Sequence, residues 1–442
     1  MKMRHILSAA ILIIGAALPA KGQETAAPYT LQQCIDIGLK HNIEILQARN
    51  DIDRAGTFRR ESYGEFLPSV SARGSWTRYD RDQIGFRGDG IFTSRNSYNY
   101  NVQAGLTLFD GMRNFNSVDQ SLLNYKAAEH GFVRTREDIV FRIQQMYYNA
   151  LRLKQLTRVA ESNLERSRKQ LERIREMNAV GSVPQADVYR QQVTVGNDEL
   201  SLIEAQNNYL NALVDFQAVL GIEPDPLFTL AGTETPERIE SAEIVAYRAE
   251  LGTFAEMVES AIVQRADYRE AQLSVESAEK GVSIASSGHY PSVTAFAQYT
   301  WNNLELADFD VYDRFFYGVS VNLPIFSNFQ ISGAVERSEI MLQNSEYVSE
   351  QLRRTISTEI MRAMNDLEMA EKNIDISASK LQSAREDQRI AQERYNLGAG
   401  TLLDLIAANA NLTMAETDVV NATFNYLTAQ KQMDYQLGRT QY

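Results

Sequence analysis

Few residues in this chain carry the types and spacing that bond chemistry needs. The four histidines, His5, His41, His130 and His289, are scattered along the sequence and suggest no metal site. No Ser/His/Asp arrangement or phosphate loop has the context it would need, and Gly398-Ala399-Gly400 reads as a turn rather than a nucleotide fingerprint. No enzymatic reaction, cofactor or metal is therefore expected. Two acids do stand out by position. Asp187 and Asp404 each follow a glycine, Gly181 and Gly398, by six residues. Near a chain reversal, such an acid reads first as a helix N-terminal carboxylate favoured by the helix dipole. Arg87-Gly88-Asp89 spells a cell-adhesion tripeptide, a triplet that arises readily by chance.

The elements that must position those acids occur twice. Asn42-Ile43-Glu44-Ile45 recurs as Arg265-Ala266-Asp267-Tyr268 and Pro68-Ser69-Val70 as Pro291-Ser292-Val293, both 223 residues on. Phe109 matches Phe326, Gly181 matches Gly398, Asp187 matches Asp404, and Leu220-Gly221 matches Leu437-Gly438, all 217 residues on. The six-residue difference falls between the Pro and the Phe, which places a surface loop there.

The N-terminus has the layout of a secretory signal peptide. Met1 to Arg4 is basic, Ile6 to Leu18 is apolar, and small residues follow, with cleavage expected near Gln23. The apolar run is too short for a membrane-spanning helix, and no later stretch is long enough. The single cysteine, Cys34, lies past the cleavage point, so neither a lipid anchor nor an internal disulfide is expected. A formal net charge of −13 argues against nucleic acid as a partner.

Two textures fill the rest. Ile139, Ile143, Met146, Ala150, Leu153, Leu156 and Ala160 form a narrow apolar seam in one half; Ile356, Ile360, Ala363, Leu367, Ala370 and Ile374 form one in the other. Met112–Asn178 and Ser332–Asn396 contain no Pro, and each predicts a helix about 100 Å long. The second texture is period-two alternation, in Val70–Thr77, Tyr98–Leu108, Ser292–Trp301 and Phe315–Leu323, each about ten residues.

That length and alternation suit strands crossing an outer membrane; two soluble hairpins packed on a core would show the same period. Trp76, Tyr79, Tyr98, Tyr100, Tyr299, Trp301, Phe315 and Tyr317 gather at one end of the hairpins, where an interfacial aromatic belt in contact with lipid belongs. Four strands cannot close a barrel alone, and an open edge cannot face lipid. Three copies would pool twelve strands; two would pool eight and leave little lumen.

Helical segments Val183–Val219 and Leu402–Gln436, stacked on Leu31–Gly64 and Leu251–Gly288, recover the length of the long helices. The expected layout is a signal peptide (1–22), an N-terminal helix (23–66), a first β-hairpin (67–110), a first helical hairpin (111–221) and a linker between the repeats (222–250). A helix of the second repeat (251–289), a second β-hairpin (290–327) and a second helical hairpin (328–442) follow. The fold class is thus mainly α, a long antiparallel coiled-coil tunnel continuous with a membrane β-barrel.

Tyr29-Thr30-Leu31-Gln32-Gln33-Cys34-Ile35-Asp36 with Asn42, the entries Leu67-Pro68-Ser69-Val70 and Tyr290-Pro291-Ser292-Val293, and the turns Val180-Gly181 and Tyr395-Asn396-Leu397-Gly398 carry a resemblance. In that order and recurring twice, they resemble the outer membrane efflux proteins, the trimeric TolC-like channels, over essentially the whole chain after the signal peptide. The resemblance implies a homotrimer in the bacterial outer membrane with a helical tunnel across the periplasm. It also implies a periplasmic adaptor protein docked at the tips, Val180, Gly181, Ser182, Leu397, Gly398 and Ala399, and an inner-membrane pump reached through that adaptor. The constriction Asp of the family falls on Asp404, and three such carboxylates at one axis attract cations. A Tyr–Asp latch falls on Tyr395 and Asp187. A second Asp ring falls on Ala407 and the network Arg on Gly400, so the resemblance implies a gate latched differently. A stand-alone porin would need no 100 Å helices, and a coiled-coil surface fibre would need no alternating strands.

Overall fold

The structure is a computed structural model that describes residues 28–87, 90–232, 239–304, 306 and 313–440. The expected signal peptide, Gly88 and Asp89 of the tripeptide, and Pro236 of the linker lie outside the described residues. The first half runs α1 (Leu31–His41), α2 (Ile43–Gly64), β1 (Ser69–Arg87), β2 (Gly90–Phe109), α3 (Arg113–Ala179) and α4 (Gln185–Leu220). The second half runs α5 (Ser241–Leu251), α6 (Phe254–Gln264), α7 (Ala266–Ser286), β3 (Ser292–Asn303), β4 (Asp313–Asn322), α8 (Gln330–Asn396) and α9 (Leu402–Gln436).

Helices α3 and α8 have 67 residues each, about 100 Å at 1.5 Å per residue. Among the described residues, no helix is long and apolar enough to cross a membrane. The long helices hold because the α8 seam and part of the α3 seam are covered, while Met146, Leu153, Leu156 and Ala160 of α3 are only half-buried. Ile139, Ile143 and Ala150 of α3 and Ile356, Ile360, Leu367 and Ala370 of α8 are fully or nearly fully buried. Each long helix is entered through two successive left-handed residues, Gly111-Met112 and Asn328-Phe329. At Gly111 only glycine fits, since a Cβ would lie 2.7 Å from the Ser287 carbonyl oxygen.

The segments expected as single helices, Leu31–Gly64 and Leu251–Gly288, are each broken. The breaks fall on Asn42 (φ −63°, ψ 132°) and Arg265 (φ −69°, ψ 126°), the first pair of repeat-equivalent residues. Neither residue breaks a helix by propensity; tertiary contacts do it. The Asn42 amide donates to the Val219 carbonyl at 2.8 Å while its side-chain oxygen caps Glu44 N–H. Arg265, almost fully buried, donates to the Gln436 side chain at 2.9 Å, to Glu359 at 2.8 Å and to both Asp267 oxygens. So α2 stacks on α4 and α7 on α9, whereas α1 and α6 turn aside.

Those displaced helices form a collar on one face of the layer. Cys34 and Ile35 of α1 pack against Ile143 and Tyr147 of α3 and Phe216 and Leu220 of α4. Leu251 of α5 and Met257 and Ala261 of α6 cover α8 and α9. The linker between the repeats thus contributes helix α5 to this collar. Tyr29 adds a short parallel bridge to Leu230 and stacks on Phe228 at 4.9 Å. Beside the Arg265 joint, Arg134 of α3 lies over the Tyr435 ring at 4.2 Å and pairs with Asp138 at 3.0 Å and Glu137 at 3.5 Å. Burial, only partly offset by Arg134, pushes the Glu137 carboxyl above its usual range.

The four strands form one antiparallel sheet in sequence order. The expected ten residues hold for β3 and β4, with 12 and 10, but β1 and β2 reach 19 and 20. Past Arg78 the β1 pattern loses its alternation, yet backbone pairing resumes at Gln83↔Ser94 and continues to Arg87↔Gly90, because each strand supplies the other's partners. Tyr79 to Asp82 bulge out opposite Arg95, and an Arg95–Asp82 ion pair of 2.8 Å spans the bulge. Among the described residues the β2–β3 ladder ends at Tyr98↔Asn303, past which the Ser94 hydroxyl donates to the Leu304 carbonyl at 3.2 Å.

Candidate functional site

The helix tips gather the acids singled out in the sequence. Gly181 (φ 74°) and Gly398 (φ 70°) end α3 and α8 in the left-handed conformation. Ser182 N–H returns to the Met177 carbonyl and Ala399 N–H to the Arg394 carbonyl, both at 2.8 Å, which satisfies the helix-end acceptors. Nothing lies within 4 Å of a Cβ built on either glycine, and Val180 and Leu397 are 78% and 83% exposed. Both turns therefore project as small apolar knobs.

Asp187 and Asp404 occupy the same third position of α4 and α9, with different partners. Asp404 closes a capping box: it accepts from Thr401 N–H at 3.2 Å and the Thr401 hydroxyl at 2.8 Å. Those two bonds, hydroxyl first, hold its carboxyl below the usual range. The N-terminal helix acid expected on sequence grounds is thus present, fully exposed to solvent. Asp187 instead pairs with Arg190 at 3.1 Å, and Pro184 precedes its helix without a side-chain cap.

Tyr395 is 4% exposed and packs with Leu164, Leu171, Ile174, Val188, Leu402 and Leu405 between the two hairpins. Its hydroxyl has no hydrogen-bond partner among the described residues. Burial and then the nearby Asp187 charge raise its pKa, so the two residues are close, yet no hydrogen bond joins them in this conformation. Arg394 was not singled out in the sequence. It donates to the Ala399 carbonyl at 3.4 Å, and its Cβ lies 3.1 Å from where a Cβ on Gly400 would sit. A cation thus stands beside the position that the resemblance left empty. Its place in the last turn of α8, where the helix dipole favours a cation, was the available signal. Arg173 of α3 also reaches Asn396 at 3.4 Å, joining the two tips.

On the sheet, seven of the eight belt aromatics share one face. Trp76 lies opposite Tyr98, Tyr100 opposite Trp301, and Tyr299 opposite Phe315, with Tyr317 two residues on. Trp301, Phe315 and Tyr317 make a chain of rings with Tyr299 at 4.2 to 6.1 Å. Tyr79 falls in the bulge, outside this register. The opposite face carries Ser75, Asn99, Asn101, Gln103, Gln298 and Thr300. Gly74 lies beneath the Tyr100 ring, where a Cβ would meet it at 3.3 Å.

Among the described residues no group of histidine, cysteine or acid side chains is arranged to hold a metal. A family model for outer membrane efflux proteins matches residues 35–222 and 257–439. Outer membrane protein TolC of Escherichia coli is 20% identical over 446 residues, 97% of this chain and 85% of its own length. The toluene efflux pump outer membrane protein TtgC of Pseudomonas putida is 22% identical over 414 residues, 92% and 82% of the two lengths. The solved outer membrane protein VceC of Vibrio cholerae superposes with a TM-score of 0.76 at 19% identity, over 92% of this chain and 96% of its own. CusC superposes with a TM-score of 0.77 at 16% identity, over 92% of each chain. The fold is that of these channels, and the chain belongs to the outer membrane efflux protein family.

Proposed function

We propose that the chain is the outer-membrane exit duct of a tripartite efflux or type I secretion machine, passing cargo from an inner-membrane pump through a periplasmic adaptor. The observation that carries this reading is a four-stranded sheet, with β1 and β4 lacking outer neighbours among the described residues, that leads directly into two 67-residue helices. Open edges are untenable in lipid, so the strands are pooled; three copies give a twelve-stranded barrel with the aromatic face toward lipid and the polar face toward the lumen. The helices extend that lumen across the periplasm, and the collar lies on their outer face. The exposed Val180 and Leu397 knobs suit docking by the adaptor.

At the tips, three copies of Asp404 around one axis form a cation-attracting constriction. Tyr395 and Asp187 form the latch beside it, and Arg394 supplies the neighbouring cation. Planar-bilayer recordings of wild type, Asp404→Ala and Tyr395→Phe test the reading. A low, cation-selective resting conductance that rises or loses selectivity in the variants is the expected result. A large, steady conductance indifferent to both changes would overturn the gate.

A further inference from the structure

The face of the helical layer opposite the collar carries a groove of about 520 Å³ between α3, α8 and α9. Asn149 and Arg152 follow the collar-facing Tyr147 by two and five residues, turns of about 200° and 500° that aim both away from the collar. Arg152 is held there as a fork. It donates to Asn149 Oδ1 at 2.8 Å and to Asn421 Oδ1 at 3.0 Å. Both acceptors are neutral. Arg134, Arg166, Arg248 and Arg265 each meet a carboxylate within 3.0 Å. Among the described residues Arg152 meets none within 4.0 Å, so its charge is fixed in place and uncompensated.

Across the groove, Asp366 of α8 likewise has no cation within 4.0 Å among the described residues. Gln145 and Asn425 also line the groove, with exposed carboxamides that have no side-chain hydrogen-bond partner among the described residues. One fixed cation, one separate anion and two amides complement a molecule bearing a carboxylate, an ammonium and amides. The volume is in the range of small-molecule sites.

We infer that this groove is a binding subsite for small zwitterionic solutes bearing amide groups, with short peptides as the fitting class. The carboxylate is held by Arg152, the ammonium by Asp366, and the backbone amides by Gln145 and Asn425. The inference rests on the duct reading only in taking this face as the bore, and the test measures binding rather than conductance, so the two stand or fall separately.

Saturation-transfer NMR on the detergent-solubilised full chain would use glycylglycine, its N-acetyl form and its C-terminal amide. Wild type is expected to give saturable transfer to glycylglycine. Arg152→Gln should weaken glycylglycine and the N-acetyl form about tenfold, the loss of one charge-assisted hydrogen bond, and spare the amide. Asp366→Asn should weaken glycylglycine and the amide and spare the N-acetyl form. Asn421→Ala, which frees one arm of the fork, should fall between wild type and Arg152→Gln. Unchanged far-UV circular dichroism excludes misfolding. Equal transfer in wild type and both charge variants, or no transfer in wild type, would overturn the subsite.

Discussion

The Asn42 side-chain amide meets the Val219 carbonyl at 2.8 Å, and the repeat equivalents of these two residues, Arg265 and Gln436, meet in the same way. Each contact locks the start of an upper helix onto the end of a lower one. The geometry of the two joints is shared and their chemistry is not. One is a neutral amide with a cap; the other is a buried guanidinium with two carboxylates.

That difference predicts unequal costs. Arg265→Ala leaves Glu359 without its cation and Asp267 with only Arg134, 3.8 Å away, and should destabilise by about 3 kcal/mol. Asn42→Ala removes a cap and one hydrogen bond, a loss of about 1–2 kcal/mol. Thermal melting of the solubilised protein should rank them in that order; equal shifts would contradict the ionic reading of the second joint.

The glycines give a second contrast. Gly181 and Gly221 have the same positive φ, but a Cβ on Gly221 would lie 2.5 Å from the His41 carbonyl oxygen, while one on Gly181 meets nothing. Gly181→Ala should cost about 1 kcal/mol for the left-handed backbone alone. Gly221→Ala adds a backbone collision and should lower the melting temperature several degrees further.

Glu137 makes stability depend on pH. Its folded pKa is raised chiefly by burial, so the folded state carries a penalty that grows as pH rises through the ordinary carboxylate range and is full above the raised pKa. Arg134 keeps Asp138 as a partner if Glu137 is neutralised. Glu137→Gln should therefore melt higher than wild type at neutral pH, and the gap should close in acid, where Glu137 is protonated in both states. A gap that widened in acid would reverse the assignment.

Tyr395→Phe separates stability from gating. The hydroxyl is buried without a partner, so its removal should leave the melting temperature unchanged or raise it. A marked loss of stability would mean that the hydroxyl is bonded in the prevailing state.

Thr401→Val removes the hydroxyl that does most to hold the Asp404 pKa down. A depressed carboxylate pKa contributes stability above its ordinary range and loses it as pH falls through the lowered value. In the variant that contribution should be smaller and its loss complete at higher pH. On the gate reading, the acid limb of the conductance–pH curve should move up with it, and an unmoved curve would detach Asp404 from the constriction.

Much of this was legible in the sequence because it is local. Gly181, Gly398 and the apolar seams declare themselves through turn chemistry and period, and Leu402–Gln436 matches the observed helix end to end. The breaks at Asn42 and Arg265 were not legible, since both residues tolerate helix and the cause lies in Val219 and Gln436, more than 170 residues away. The length of β1 and β2 escaped for a related reason. Pairing needs a partner backbone rather than alternating side chains, and Tyr79–Asp82 hid the register behind a bulge. The residues proposed as the latch were named, but their states were not. Whether Tyr395 bonds Asp187 depends on how two hairpins sit together, and no spacing within one hairpin encodes that.

The uneven hairpins have a consequence at the far end of the molecule. From Tyr98 up to Gly90, β2 pairs with β1 and leaves β3 behind, a stretch of roughly 25 Å along the strand. On the duct reading, three such chains give the wall three two-stranded fingers that reach beyond the described ends of β3 and β4.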